Sequence, residues 1–126
     1  MYVITKKFRF EASHRLPNHQ GACKNLHGHS YVLEVSIASN DLWEDGEEEG
    51  MIMDFGFLKE VVNKVAVDKY DHSYLNDYFR NPTAELMVKK IFDDIQAEFS
   101  SRGKILFNVY KVRLYETVNS WAEWAE

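Results

Sequence analysis

The sequence predicts an α+β domain in which two helices pack on one face of a four-stranded antiparallel sheet, in the order ββααββ. Three observations carry this expectation. Residues 2–14 and 27–37 alternate apolar and polar side chains with a period of two. Residues 54–67 and 83–99 repeat apolar side chains at helical spacing. Extended patterning then returns at 105–115 and 120–124. One domain, residues 1–126, accommodates all of it.

In the first strand Tyr2, Ile4, Phe8, Phe10, Ala12 and His14 share a face, with Val3, Thr5, Lys7, Arg9, Glu11 and Ser13 on the other. Residues 16–25, with Pro17, Asn18, Gly21 and Asn25, read as a loop. In the second strand His27, His29, Tyr31, Leu33, Val35 and Ile37 align. Residues 39–50 are turn-like and acidic, and Met51 to Met53 is a candidate strand extension. Asp54 is placed to cap a helix running to about Val67, with Leu58, Val61, Val62 and Val65 inward. Residues 68–81 look irregular. Asn81-Pro82-Thr83 opens the second helix, with Pro82 in its first turn and Ala84, Val88, Ile91, Ile95 and Phe99 as its stripe. A turn at 100–104 leads to a strand from Ile105 to Tyr115, on which Leu106, Tyr110, Val112, Leu114 and Glu116 align; its two faces are both largely apolar, as in a strand covered on both sides. The open sheet leaves two edges, and pairing them between subunits protects them, so a homo-oligomer is expected.

Composition narrows the class. Hydrophobic residues make up 45% and charged residues 28%, ordinary for a globular domain. Cys23 is the only cysteine, so no intramolecular disulfide forms, and with no secretory pattern at the start a cytoplasmic location is expected. No apolar run reaches the length of a membrane span, so no membrane partner is expected. The net charge of −5 argues against nucleic acid. Lys6, Lys7, Arg9, Arg15 and Lys24 nevertheless face only Glu11 within residues 1–26, a bias that suits a small anion as well as a solvated strand face.

His27-Gly28-His29 is the most informative tripeptide. Positions i and i+2 of a strand project together, so both imidazoles share a face. If the first two strands pair across the 16–25 loop, His14 meets them at the same end of the sheet. Three neutral imidazoles with no fourth protein ligand form an open metal site of catalytic type. Each histidine taken singly is also explained as a core residue with a satisfied ring nitrogen. Ligand count alone does not separate zinc from iron, nickel or copper. His19, in the loop, is expected to be exposed.

Cys23 lies four residues before His27. A nearby dication favours its thiolate as base or nucleophile; a small buried hydrophobe and a fourth ligand closing the site are the alternatives. In Asp71-His72 the carboxylate either orients the imidazole or caps a turn. Glu116, ending an apolar row, either grips an aminopyrimidinone edge with two acceptor oxygens or is an exposed strand-end carboxylate.

The order of Phe10-Glu11-Ala12-Ser13-His14-Arg15-Leu16, Cys23-Lys24-Asn25-Leu26-His27-Gly28-His29-Ser30-Tyr31, Met53-Asp54-Phe55, Tyr70-Asp71-His72, Leu75-Asn76, Asn81-Pro82-Thr83-Ala84-Glu85 and Tyr115-Glu116-Thr117 resembles the 6-pyruvoyl-tetrahydropterin synthase / 6-carboxy-tetrahydropterin synthase family along nearly the whole chain. The resemblance implies a tunnelling-fold (T-fold) subunit whose sheets join into an oligomeric barrel, commonly a hexamer. It implies Zn2+ on His14, His27 and His29, Cys23 as catalytic base with Asp71 and His72, and Glu116 as pterin anchor helped by Thr83 and Glu85. The Cys-x3-His-x-His spacing resembles the 6-carboxy branch, a lyase of queuosine (7-deazapurine) biosynthesis. That branch converts 7,8-dihydroneopterin triphosphate to 6-carboxy-5,6,7,8-tetrahydropterin, acetaldehyde and triphosphate. The alternatives are 6-pyruvoyl synthesis and a non-catalytic metal- or pterin-binding assembly protein. Ser13 and Lys24-Asn25 depart from the family's commonest residues, which bears on how the phosphates are held.

Overall fold

The computed structural model of the chain describes residues 1–103 and 106–126; the expected strand start at Ile105 lies outside them. Strands β1 (Tyr2–His14) and β2 (His27–Ser39) pair antiparallel over their full length, from Tyr2 opposite Ser39 to His14 opposite His27. The expected inward faces are buried from Phe8 onward on β1 (Phe8, Phe10 and Ala12) and over Tyr31, Leu33, Val35 and Ile37 on β2. At the start of β1, Tyr2 is exposed and Ile4 half-buried, contrary to expectation, because the core does not extend to that end of the strand. Strand β3 (Ser73–Tyr74) adds to the outer edge of β1, and β4 (Asn108–Thr117) and β5 (Ser120–Ala125) follow β2 on the other side.

The sheet therefore has five strands in the order β3-β1-β2-β4-β5, not four. The four long strands are antiparallel as expected. The addition, β3, runs parallel to β1 at Ala12 and Ser13. Two residues are too few to show a period, so residues 68–81 look irregular in sequence. Met51 to Met53 is not a strand; Ile52 and Met53 are buried from a loop instead.

Helix α1 (Phe55–Val62) starts at Asp54, whose side chain accepts a 2.6 Å hydrogen bond from the Gly56 amide. It continues through a π-helical turn, Asn63–Val67, into α2 (Asp68–Tyr70). Helix α3 (Ala84–Ser101) is capped by Thr83, which accepts from the Leu86 amide at 3.2 Å. Pro82 accordingly stands before the cap and not in the first turn. Ala84, Met87, Val88, Ile91, Phe92, Ile95 and Phe99 are all buried against the sheet. Burial contributes about 1.5–3 kcal/mol for each large apolar side chain, so this stripe holds the helix in place.

Two irregularities shape β4. Lys111 pairs with Ser36 and Val109 with Ile37, so Tyr110 is an extra residue opposite β2. That bulge switches the alternation: Phe107 and Val109 fill the core, as do Val112 and Leu114, whereas Tyr110 is half-buried and Leu106 exposed. On the face away from the helices Lys111, Arg113 and Tyr115 are only half-buried, so β4 is not covered on both sides within one chain. Opposite β5, Tyr115 pairs with Trp121 and Thr117 with Ser120, which leaves Glu116 as a second extra residue.

Candidate metal centre and active site

The β1–β2 register builds the centre of the site. His14 stands opposite His27, and Ala12 opposite His29, so the three imidazoles emerge on the helix side at one end of the sheet. His14 is buried, and His27 and His29 are half-buried. His14 Nε2 lies 3.0 Å from His27 Nε2 and 3.1 Å from His29 Nε2. One nitrogen from each ring falls within 4.8 Å of the others, so His14, His27 and His29 could hold a metal ion.

The outer nitrogens set the tautomers. His14 Nδ1 lies 2.8 Å from the Pro82 carbonyl oxygen, and His27 Nδ1 lies 2.7 Å from that of Asn25. A carbonyl only accepts, so each Nδ1 carries the proton and donates. Each Nε2 then presents a bare lone pair, and two lone pairs face each other across 3.0 Å. A cation between them converts that repulsion into coordination. Tetrahedral zinc with bonds of 2.0–2.1 Å would separate its nitrogens by about 3.3 Å, so a small outward shift of the rings accommodates it. Carbonyl partners on the outer nitrogens are the usual support of metal-binding histidines.

Burial holds the His29 pKa below the usual imidazole range; Glu116 opposes this, and His14 and His27 reinforce it. The neutral form is the one that can ligate. Glu116 Oε2 lies 3.7 Å from His29 Nε2 but is not one of the converging atoms, so this carboxylate stands beside the triad. Its bulge position aims it there. Beneath the rings, buried Tyr31 brings its hydroxyl 3.4 Å from His14 Nδ1, and burial together with the Glu116 charge pushes its phenol pKa up.

Cys23 sits half-buried in a single 3-10 turn, Ala22–Lys24, whose backbone is tied down by the Leu16 amide donating to the Cys23 carbonyl at 2.8 Å. Its sulfur is not among the converging ligand atoms.

Asp71 and His72 form a contact of 3.0 Å, Oδ2 to Nδ1, although adjacent residues often diverge. The pair is clamped to β1: the Glu11 amide donates to Asp71 Oδ1 at 2.9 Å, and the His72 amide donates to the Glu11 carbonyl. This holds His72 at a φ of 58°, the left-handed region. The Glu11 amide is the main reason the Asp71 carboxyl is held below the usual range, with His72 adding to it. His72 lines a cavity of about 450 Å³ with Glu11, Ser13, Gly28 and Ser30, positions that alternate to the sheet face opposite the imidazoles, and with Ala12, His29 and Ser73. One chain thus joins Asp71 to His72 and fastens the pair to the outer edge of β1 at Glu11. Gly28 faces this cavity, and a Cβ there would meet only the Ala12 carbonyl at 3.4 Å.

Thr83 spends its hydroxyl on the α3 cap, and Glu85 is exposed in that helix's first turn. His19 is exposed, as expected, and accepts from the Gly21 amide.

The family profile described as 6-pyruvoyl tetrahydropterin synthase matches residues 3–126. The chain belongs to that family. A 6-carboxy-5,6,7,8-tetrahydropterin synthase of Synechocystis sp. is 39% identical over 126 residues, covering 98% of this chain and 93% of the relative. That of Haemophilus influenzae is 34% identical with 100% of both chains covered. Among solved structures, Caenorhabditis elegans 6-pyruvoyl tetrahydropterin synthase superposes with a TM-score of 0.78 at 25% identity, covering 99% of this chain and 95% of that one. The Plasmodium falciparum 6-pyruvoyl tetrahydropterin synthase, at 16% identity, a TM-score of 0.71 and coverage of 99% and 97%, supports the fold alone. The α+β T-fold expected from the sequence is therefore the fold of this family member.

Sequence reading missed the Pro82 and Asn25 carbonyls that set the imidazole tautomers. Main-chain acceptors leave no trace in residue type, so no sequence signal could have found them. Tyr31 had a signal, its place two residues after His29 on the inward face of β2.

Proposed function

We propose that the chain is a zinc-dependent 6-carboxy-5,6,7,8-tetrahydropterin synthase. It would convert 7,8-dihydroneopterin triphosphate to 6-carboxytetrahydropterin, acetaldehyde and triphosphate, in the cytoplasm and within queuosine biosynthesis. The observation that carries the reading is the convergence of three Nε2 lone pairs beside Glu116, in a chain whose full-length relatives bear that enzyme's name.

Zinc at the triad would act as a Lewis acid on the side-chain oxygens of the substrate. The remaining work falls to this chain's own residues. Glu116 accepts hydrogen bonds from the amine and ring N–H of the pterin and fixes the ring. Cys23 takes and returns protons on one side of the substrate side chain. His72, oriented by Asp71, does so on the other. Asp71 and His72 are fastened to the outer edge of β1 at Glu11 and are not among the converging atoms of the triad, so a second copy of the chain would bring its own pair to the site. The reading therefore requires a homo-oligomer, for which a hexamer built on joined sheets is proposed. Thr83 and Glu85, at the N-terminus of α3, would approach the pterin from such a subunit boundary. No nucleic acid is required.

The family profile and the Caenorhabditis elegans structure carry the 6-pyruvoyl name, which favours triphosphate elimination to a pyruvoyl pterin as the second reading. Purified protein incubated with 7,8-dihydroneopterin triphosphate separates the cases. Acetaldehyde supports the 6-carboxy reaction, and a pyruvoyl pterin replaces it with the alternative. Neither product, with pterin bound, leaves a non-catalytic binding protein.

A further inference from the structure

We propose that Asn76 is a positioning residue for the metal centre, splinting the end of β1 that carries His14. The inference rests on the metal-site reading above and adds a residue to it.

The edge strand β3 pairs with β1 only at Ala12 and Ser13. Beyond it the chain turns into a 3-10 turn, Leu75–Asp77. At Arg15, the residue after His14, the carboxamide of Asn76 takes over from the backbone. The Arg15 amide donates to Asn76 Oδ1 at 3.0 Å, and Asn76 Nδ2 donates to the Arg15 carbonyl at 2.9 Å. One planar group thus satisfies both main-chain groups of a residue lying past the last β1–β2 pair. The pairing needs a donor and an acceptor side by side, which only an amide side chain supplies at this reach. Leu75, fully buried, anchors the turn and sets the direction of its neighbour.

His14 is the ring that both other imidazoles approach, at 3.0 and 3.1 Å. Its outer nitrogen is fixed by Pro82, and its backbone is held by β2 on one side. Asn76 supplies the hold from the opposite edge, immediately after the ligand. The same segment is clamped at Glu11 through Asp71 and His72, so residues 71–76 fasten the chain from Glu11 to Arg15 at successive points. Loosening Asn76 frees the end of β1 and moves one ligand against two that stay.

The test is zinc affinity of the metal-free full chain, measured by competition with a chromophoric chelator. Asn76→Ala is expected to bind Zn2+ about tenfold more weakly, in the range seen when supporting groups of metal ligands are removed. The Arg15 amide in the metal-free protein should also exchange hydrogen faster. Asn76→Asp fills the same space but turns an acceptor toward the Arg15 carbonyl, and carries the test if the alanine variant does not fold. Ile95→Val, a core change in α3 remote from Arg15 in sequence, should lower stability without changing zinc affinity. A folded Asn76 variant with wild-type zinc affinity overturns the role, and so does an equal loss in Ile95→Val. Failure of the wild-type chain to bind Zn2+ overturns the metal reading itself, a distinguishable result.

Discussion

His14 and His27 face each other across the β1–β2 pair with their Nε2 atoms 3.0 Å apart, each ring donating its outer N–H to a carbonyl. Two lone pairs at that distance call for a cation. Zinc should therefore stabilise the fold, by about 2.7 kcal/mol at a free concentration of 100 times the Kd. Chelation should lower the melting temperature of the wild-type chain and leave that of His27→Ala unmoved. An equal response in both would refute the triad.

Cys23→Ala should keep zinc and pterin binding and lose turnover, since its sulfur is outside the ligand group. Metal analysis beside a steady-state assay checks this. Loss of zinc from the variant would make Cys23 a ligand.

Glu116→Gln keeps the shape of the bulge residue and removes its charge. Hydrogen bonds to a charged group contribute about 1.5–3 kcal/mol, so pterin affinity should fall about ten- to a hundredfold while zinc is retained. Calorimetric titration with a pterin ligand reads this, and unchanged affinity would remove Glu116 as the anchor.

Asp71 titrates below the usual aspartate range, chiefly because the Glu11 amide donates to its ionised form. A depressed folded-state pKa stabilises the protein above the ordinary aspartate pKa of about 3.9 and ceases to do so as pH falls through the depressed value. Wild type should thus exceed Asp71→Asn in urea stability near pH 7, with the gap closing toward pH 3. A gap that widens in acid would contradict the clamp.

Thr83→Ala should cost about 1 kcal/mol of stability, the usual loss of a helix cap, because its hydroxyl is held by the Leu86 amide. Denaturant unfolding measures it. No loss would free Thr83 for substrate alone.

The long elements were legible because their periods run long: β1 from Phe8, β2 from Tyr31 and the α3 stripe bury the residues the alternation selects, while Tyr2 at the start of β1 is exposed. His14 could be joined to His27 and His29 from strand pairing alone, since one antiparallel register fixes all three faces. Strand β3 was not legible, because two residues carry no period. The row toward Glu116 was half right, since the bulge at Tyr110 reverses the phase and one-residue insertions leave no compositional mark. The position of Asp71-His72 at the outer edge of β1 depends on the β3 pairing, and so was hidden with it.

X-ray absorption at the zinc edge of the loaded protein tests the centre most directly. Three imidazole nitrogens and one light oxygen scatterer near 2.0–2.1 Å are expected, with no sulfur. A sulfur shell near 2.3 Å, or fewer than three imidazoles, would contradict an open three-histidine site.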